Sequence, residues 1–351
     1  MRRYAPAVHR IAFACLLLLA ACLLPAPAQA APPARVVVIV SGGDAVSPFT
    51  TGDQACASGL AAGNTDTALR QDLLDHGYTV FTSPAMAGRG PVVDQGGFGA
   101  FGDCPITLPD IMTVDSTGSI DLAGEHLARF LNYLHTSRGV TDVNIVGHSM
   151  GGLYSRAALR VLQKTDSPVR VRSLTTLGTP WQGSFLSDYA NDITPMSDCL
   201  GDAFCEQGMA GLKAEVLRQM SGSGREVNQG YLMGPGGWNE FQAGVLDNIP
   251  VTLIAGNRFT KDGPVNPTVW PNDGIVAQTS ALAVDISDRV LPHRRCAAFD
   301  DTHSIFVSNE AGLPWDTGLT WDPRVFAVVR DALDNAGTAL TTANRAGCPP
   351  A

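Results

Sequence analysis

Val143-Asn144-Ile145-Val146-Gly147-His148-Ser149-Met150-Gly151-Gly152-Leu153 is the stretch that decides the fold. A short run rich in valine and isoleucine leads into Gly147-His148-Ser149-Met150-Gly151. Apolar residues then follow at helical spacing, at Leu153, Ala157, Ala158, Val161 and Leu162. A Gly-x-Ser-x-Gly turn between a strand and a helix bends so tightly that only residues without bulk can flank the serine, whose hydroxyl then stands in the open. The five residues alone are a weak signal in a chain with 37 glycines among 351 residues. The strand before them and the helix after them supply the weight.

Outward from this turn, strand and helix signals alternate. Arg35 to Val40 is a continuous apolar run suited to a buried strand, Thr67 to Asp75 is helix-like, and Thr79 to Thr82 reads as the next strand. Asp121 to His135 carries Leu122, Phe130, Leu131 and Leu134 on one helical face, and Val171 to Leu177 and Val251 to Ala255 are further strands. Strands separated by helices predict an α/β fold with a mostly parallel central sheet covered by helices on both faces. Two segments interrupt the rhythm. Residues 84–118 are rich in glycine and proline and contain Gly97-Phe98-Gly99-Ala100-Phe101-Gly102, a formal dinucleotide fingerprint. No strand precedes it, and Asp103-Cys104-Pro105 stands where a helix should open, so no cofactor is predicted. Residues 184–248 are far longer than an ordinary connection, with a helix-like piece from Met209 to Met220, and read as a lid or substrate-entrance insertion.

The first thirty residues bring Arg2, Arg3 and Arg10, an apolar stretch from Ile11 to Leu24, and Ala28-Gln29-Ala30. This is the layout of a secretory signal peptide, and a mature single domain is expected from Ala31 to Ala351. Leu19-Ala20-Ala21-Cys22 supports a rival reading, a lipoprotein anchored through Cys22. Loss of the leader takes Lys+Arg from 24 to 21 against 33 acids, moving the net charge from -9 to -12. So acidic a chain disfavours nucleic acid and anionic membranes as partners. Six cysteines remain, an even number that reads as disulfides in an exported protein. Chain order favours Cys56 with Cys104, Cys199 with Cys205 and Cys296 with Cys348. No Cys-x-x-Cys or His-Glu-x-x-His occurs, so no structural metal is predicted. The sequence sets no oligomeric state.

A serine hydroxyl attacks only when a base takes its proton, and the base needs a carboxylate to fix its tautomer. On a strand-turn-helix mount the partners follow in the chain, acid before histidine. Two histidines follow Ser149. His303 lies in a polar loop that runs into an apolar helix start, whereas His293 stands beside Arg294 and Arg295, where a second positive charge is disfavoured. His303 is therefore the expected base. Asp273, at the glycine-bearing turn Pro271-Asn272-Asp273-Gly274, is the expected acid; Asp301, the alternative, is too close in sequence to reach the far ring nitrogen. Backbone N–H groups for the oxyanion are expected from Met150 and from Gly43 in Ser41-Gly42-Gly43-Asp44, with Gly42 the near alternative. His148, beside the serine, suits packing or orientation more than proton transfer.

On these residues, and on Gly178-Thr179-Pro180-Trp181-Gln182-Gly183-Ser184 and Asn272-Asp273-Gly274-Ile275-Val276, the chain resembles the alpha/beta-hydrolase lipases from about residue 35 to 310, especially the bacterial secreted triacylglycerol lipase and esterase group. The resemblance implies Ser149, His303 and Asp273 as nucleophile, base and acid, with a lid after the Gly-Thr-Pro loop. It also implies a lipid or other ester as substrate, with transient contact at a lipid interface. Two features depart from the family pattern. Ser41-Gly42 stands where many relatives carry His-Gly, and Ser304-Ile305-Phe306 lacks the aspartate of calcium-holding relatives, so calcium is not predicted. The same three residues would serve an acyltransferase, a thioesterase or a polyester hydrolase, and a non-catalytic binding protein on this scaffold is the alternative of another class.

Overall fold

The computed structural model describes residues 35–53, 65–92, 106–218, 222–336 and 345–349. The leader, the Gly97–Gly102 motif, Cys22, Cys56 and Cys104 lie outside the described residues. Elements follow in the order β1 (Val36–Val40), α1 (Thr67–Asp75), β2 (Thr79–Thr82), the short β3 (Ala85–Met86) and β4 (Val114–Asp115), α2 (Ile120–Arg138), β5 (Asp142–His148), α3 (Gly151–Lys164) and β6 (Arg170–Leu177). The second half holds α4 (Phe185–Ala190), α5 (Ala203–Arg218), α6 (Gln229–Met233), β7 (Val251–Gly256), α7 (Gln278–Ala281), β8 (Arg294–Phe299), α8 (Ile305–Glu310), α9 (Pro323–Asp334) and β9 (Arg345–Ala346).

The main sheet runs β2-β1-β5-β6-β7-β8-β9, parallel at every pairing. Alternation along a strand decides which core each side chain enters. In β1, Val36, Val38 and Val40 face a core shared with α2 and α3, while Val37 and Ile39 face one shared with Leu69 and Leu73 of α1 and Val325 and Val329 of α9. An unbroken apolar strand is thus the signature of a sheet buried on both faces. Local signals place the helix ends: the Ser119 hydroxyl accepts from the Leu122 N–H at the start of α2, and Gly139 closes it in the left-handed conformation.

The described residues of 184–248 fold into α4, α5, α6 and short 3-10 turns. The expected helix from Met209 to Met220 begins six residues earlier, at Ala203, and is described to Arg218. Cys205 on its first turn forms a disulfide with Cys199, which fixes where the helix starts. This insertion has its own small core of Phe185, Leu186, Cys199, Cys205 and Met209 packed on Val269 and Trp270. Cys296 in β8 is bonded to Cys348. The buried Arg156 of α3 lies between the rings of Trp181 and Trp238, 4.2 and 4.8 Å from their centroids, and so ties α3 to the loop after β6 and to the insertion.

Burial also sets a pH dependence of stability. It pushes the Asp188 carboxyl up to about 6, against the bonds it accepts from Gln229. Asp301 rises to about 8 through burial and the neighbouring Asp322, against Arg324. A carboxyl with a raised folded pKa holds its proton where the unfolded chain has already released it, so stability falls as pH rises from about 4 towards the folded value. Thermal melts at about pH 5 and about pH 8.5 are expected to show the lower midpoint at the alkaline value. Asp301→Asn is expected to narrow that difference; an equal or larger gap in the variant contradicts the assignment.

Candidate active site

The site gathers at the carboxyl ends of β1, β5, β6 and β7, where loops meet above the sheet. β5 ends at His148, and Ser149 takes a left-handed φ of 55° before α3 begins at Gly151. A serine pays about 1 kcal/mol or more for that conformation, and it persists because the surroundings fix it. The Ser149 N–H is held by the Leu177 carbonyl at 2.8 Å, and its carbonyl accepts the Thr179 hydroxyl at 2.7 Å. The flanking glycines are steric requirements. A Cβ on Gly147 would lie 2.7 Å from the Gly152 nitrogen, and one on Gly151 would collide with the Val40 carbonyl.

Asp273 and His303 meet although thirty residues separate them. The Asp273 carboxylate is fully buried: one oxygen accepts the Ile275 and Val276 N–H groups at 3.0 and 2.7 Å, and the other lies 2.7 Å from His303 Nδ1. A second clasp runs from the His303 N–H to the Asp273 carbonyl at 2.8 Å. A carboxylate only accepts, so Nδ1 carries the proton and Nε2 offers its lone pair. Gly178, at φ 57°, closes the far side: a Cβ there would lie 2.9 Å from His303 Nδ1 and 3.0 Å from the Asp273 oxygen.

Ser149 and His303 line one cavity of about 500 Å³, without a hydrogen bond between them among the described contacts. Such bonds commonly tighten only when substrate is bound. Apolar walls come from Met150, Leu186, Leu212, Val216, Ile275 and Phe306, and several of these belong to the 184–248 insertion. Asp44, Glu215 and Glu310 are the acids on its lining, and no lysine or arginine is among the described lining residues.

Both oxyanion candidates sit beside Ser149 in different ways. Gly42 presses directly on the serine: a Cβ there would lie 2.5 Å from Ser149 Cβ and 3.0 Å from its Oγ. Gly43 is exposed and packs against Met150, whose N–H lies at the amino end of α3, where backbone donors have no helical acceptor. Gly42→Ala is expected to push the hydroxyl aside and cut kcat/KM about 100-fold, the scale of a displacement near 1 Å, while circular dichroism stays unchanged. Full activity in that variant would show that the hydroxyl position is unimportant.

The other sequence candidates are drawn elsewhere. His293 precedes β8 at the opposite end of the sheet, its carbonyl bonded to the Val251 N–H. The Asp301 carboxylate turns to Arg324 at 3.1 Å rather than to the His303 ring. His148 is buried; its Nε2 lies 2.9 Å from the His303 carbonyl, and burial with the nearby His303 ring pushes it down to about 3. Sequence reasoning missed Asp66. An aspartate just ahead of a helix ordinarily caps it, but this side chain makes no cap bond and turns inward to the Ser41 hydroxyl.

A family model for the alpha/beta hydrolase fold matches residues 108–194. Over 70 residues, 20% of this chain, the sequence is 40% identical to a triacylglycerol lipase of Pseudarthrobacter phenanthrenivorans, and likewise to one of Burkholderia plantarii. Those stretches span 20% and 18% of the relatives' own lengths. A Bacillus licheniformis lipase, solved in its propeptide form, superposes with a TM-score of 0.50 at 17% identity, over 93% of this chain and 54% of that one. The chain has the alpha/beta-hydrolase fold. The family match covers the strand, turn and helix around Ser149 and the Gly178–Ser184 loop, so sequence and architecture agree on the segment that carries the serine.

Proposed function

We propose that the protein is an exported serine hydrolase that cleaves carboxylic esters, with fatty-acyl esters and acylglycerols as its substrates. The observation that carries this reading is a strained serine sharing one apolar cavity with a buried histidine whose Nδ1 is locked on a carboxylate 2.7 Å away. Ser149 attacks the ester carbonyl while His303 Nε2 takes its proton, and Asp273 holds the ring and stabilises the imidazolium. The N–H groups of Gly43 and Met150 receive the negative charge on the tetrahedral oxygen. His303 then protonates the departing alcohol, and an activated water repeats the sequence on the acyl-enzyme. The 184–248 insertion serves as a lid whose apolar wall accepts the acyl chain. Its lining by Leu186, Leu212 and Val216 supports that role. Two disulfides within the described residues fit an oxidising compartment, and no described helix is long and apolar enough to cross a membrane.

The test is a fluorophosphonate probe on the purified protein, followed by peptide mapping, together with a hydrolysis panel across acyl lengths with and without an oil-water interface. Labelling at Ser149 and turnover of at least one carboxylic ester are the expected results; no labelling and no turnover overturn the reading. A competing alcohol in the same panel separates hydrolysis from acyl transfer.

A further inference from the structure

Beneath the site lies a chain of buried polar groups that the proposed reaction does not use. The Ser41 hydroxyl, at the root of the loop that carries Gly42 and Gly43, donates to Asp66 Oδ2 at 2.6 Å and is paired with the Ser47 hydroxyl at 2.8 Å. Asp66 Oδ1 has no hydrogen-bond partner, and His148 Nδ1 faces it at 4.0 Å. On the other side of that ring, Nε2 meets the His303 carbonyl at 2.9 Å, and the two imidazole rings are 4.9 Å apart. Asp66 is 0% exposed, Ser41 3%, His148 4% and His303 3%, so no bulk water mediates among them.

The protons on this chain are fixed by what each neighbour can accept. A carbonyl only accepts, so His148 must carry its proton on Nε2, which leaves a lone pair on Nδ1 directed at Asp66. A carboxylate opposite a lone pair would set two acceptors face to face across 4.0 Å in a medium that screens poorly, whereas the neutral acid carries no charge to repel that lone pair. Burial acts in the same direction, pushing Asp66 up to about 7 and His148 down to about 3. The other ionisable groups nearby do not compete. Arg70, one turn along α1, spends its guanidinium on the Thr50 hydroxyl and the Thr51 carbonyl, Asp44 is exposed on the loop beyond Gly43, and His303 directs its ring to Asp273.

We propose that Asp66, as the neutral acid, and His148 form a positioning pair that holds the Ser41–Gly43 loop and the backbone of His303 in one register, and that loss of the Asp66 proton loosens both. The proposal rests on the hydrolase reading above for its effect on rate, though not for the protonation pattern itself. The geometry also explains why His148, next to the nucleophile, is no rival base: its basic nitrogen faces the interior.

Two measurements test the pair. In the full chain carrying Ser149→Ala, carboxyl ¹³C and imidazole ¹⁵N spectra, assigned by difference with Asp66→Asn, are expected to show Asp66 protonated at about pH 5.5 and His148 neutral with its proton on Nε2. An ionised Asp66 or an Nδ1-protonated His148 at that pH overturns the proposal whatever the enzyme's activity. In the active protein, kcat on a short-chain nitrophenyl ester is expected to lose an alkaline limb in Asp66→Asn, which is uncharged at every pH, while Asp66→Ala lowers kcat about 10-fold or more at near wild-type KM. Coincident wild-type and Asp66→Asn pH profiles overturn the positioning role, and that comparison stands alone if Asp66→Ala does not fold. If wild-type protein neither hydrolyses esters nor takes the fluorophosphonate label, the hydrolase reading fails, and the spectra still decide the pair.

Discussion

Ser149→Ala is expected to lower kcat/KM on a short-chain nitrophenyl ester by about 10⁴-fold or more, with the melting temperature at or slightly above that of the wild type. The size follows from the mechanism. Without the hydroxyl no acyl-enzyme forms, and what remains is the effect of binding and of the oxyanion donors on direct attack by water. The stability effect follows from the backbone. Ser149 sits at φ 55°, where alanine is tolerated as poorly as serine, so the strain stays. The Ser149 main-chain bonds to Leu177 and Thr179 use no side-chain atom and survive the change. A variant that unfolds would say nothing of the chemistry, so the melt is measured alongside the kinetics. Retained turnover in a folded Ser149→Ala protein removes the nucleophile assignment and the acyl-enzyme with it.

Asp273→Asn is the second large effect, about 10⁴-fold in kcat, by a different cause. The carboxylate oxygen 2.7 Å from His303 Nδ1 requires the proton on that nitrogen. An amide can instead present its NH₂ group there, since its other position must still accept the Ile275 and Val276 N–H groups. His303 then adopts the opposite tautomer, and Nε2 carries a proton where it should take one. Activity is expected to recover partly at high pH if hydroxide replaces the missing base, whereas fluorophosphonate labelling stays slow at neutral pH. Asp301→Asn is the control: its carboxyl group faces Arg324 and not the ring, so kcat is expected within about twofold of wild type. Should Asp301→Asn be the variant that loses 10⁴-fold and Asp273→Asn the silent one, the acid is misassigned.

Local signals made much of the fold readable. The runs Val36–Val40, Val80–Thr82, Leu174–Leu177 and Val251–Ala255 announce themselves as apolar or β-branched stretches because both of their faces are buried. β8, Arg294–Phe299, carries no such run, since three of its six residues are arginine or cysteine and it lies near the sheet edge beside β9. α9, Pro323–Asp334, has a clear apolar stripe at Val325, Phe326, Val329 and Leu333 and an Asp322 cap bonded to Arg324 N–H, so its signal was present in the chain and simply lies beyond the chemistry-bearing motifs. Residues 184–248 were legible as an unusually long connection between strands, with α5 readable in part as the Met209–Met220 piece. Its start at Ala203 was not, because the Cys199–Cys205 disulfide rather than periodicity marks it.

By itself the sequence determined the alternation of strand and helix and the turn that carries Ser149, because these depend on residues adjacent in the chain. Tertiary structure alone decided how far Asp273 and His303 stand from each other and from the Asp301–Arg324 pair, that Gly42 rather than Gly43 presses on the serine, and that Asp66 turns inward to Ser41 instead of capping α1. Each of those choices is a matter of a few ångströms between groups brought together by the sheet. No pattern of neighbouring residues encodes such a distance, since it follows from how whole strands and loops pack.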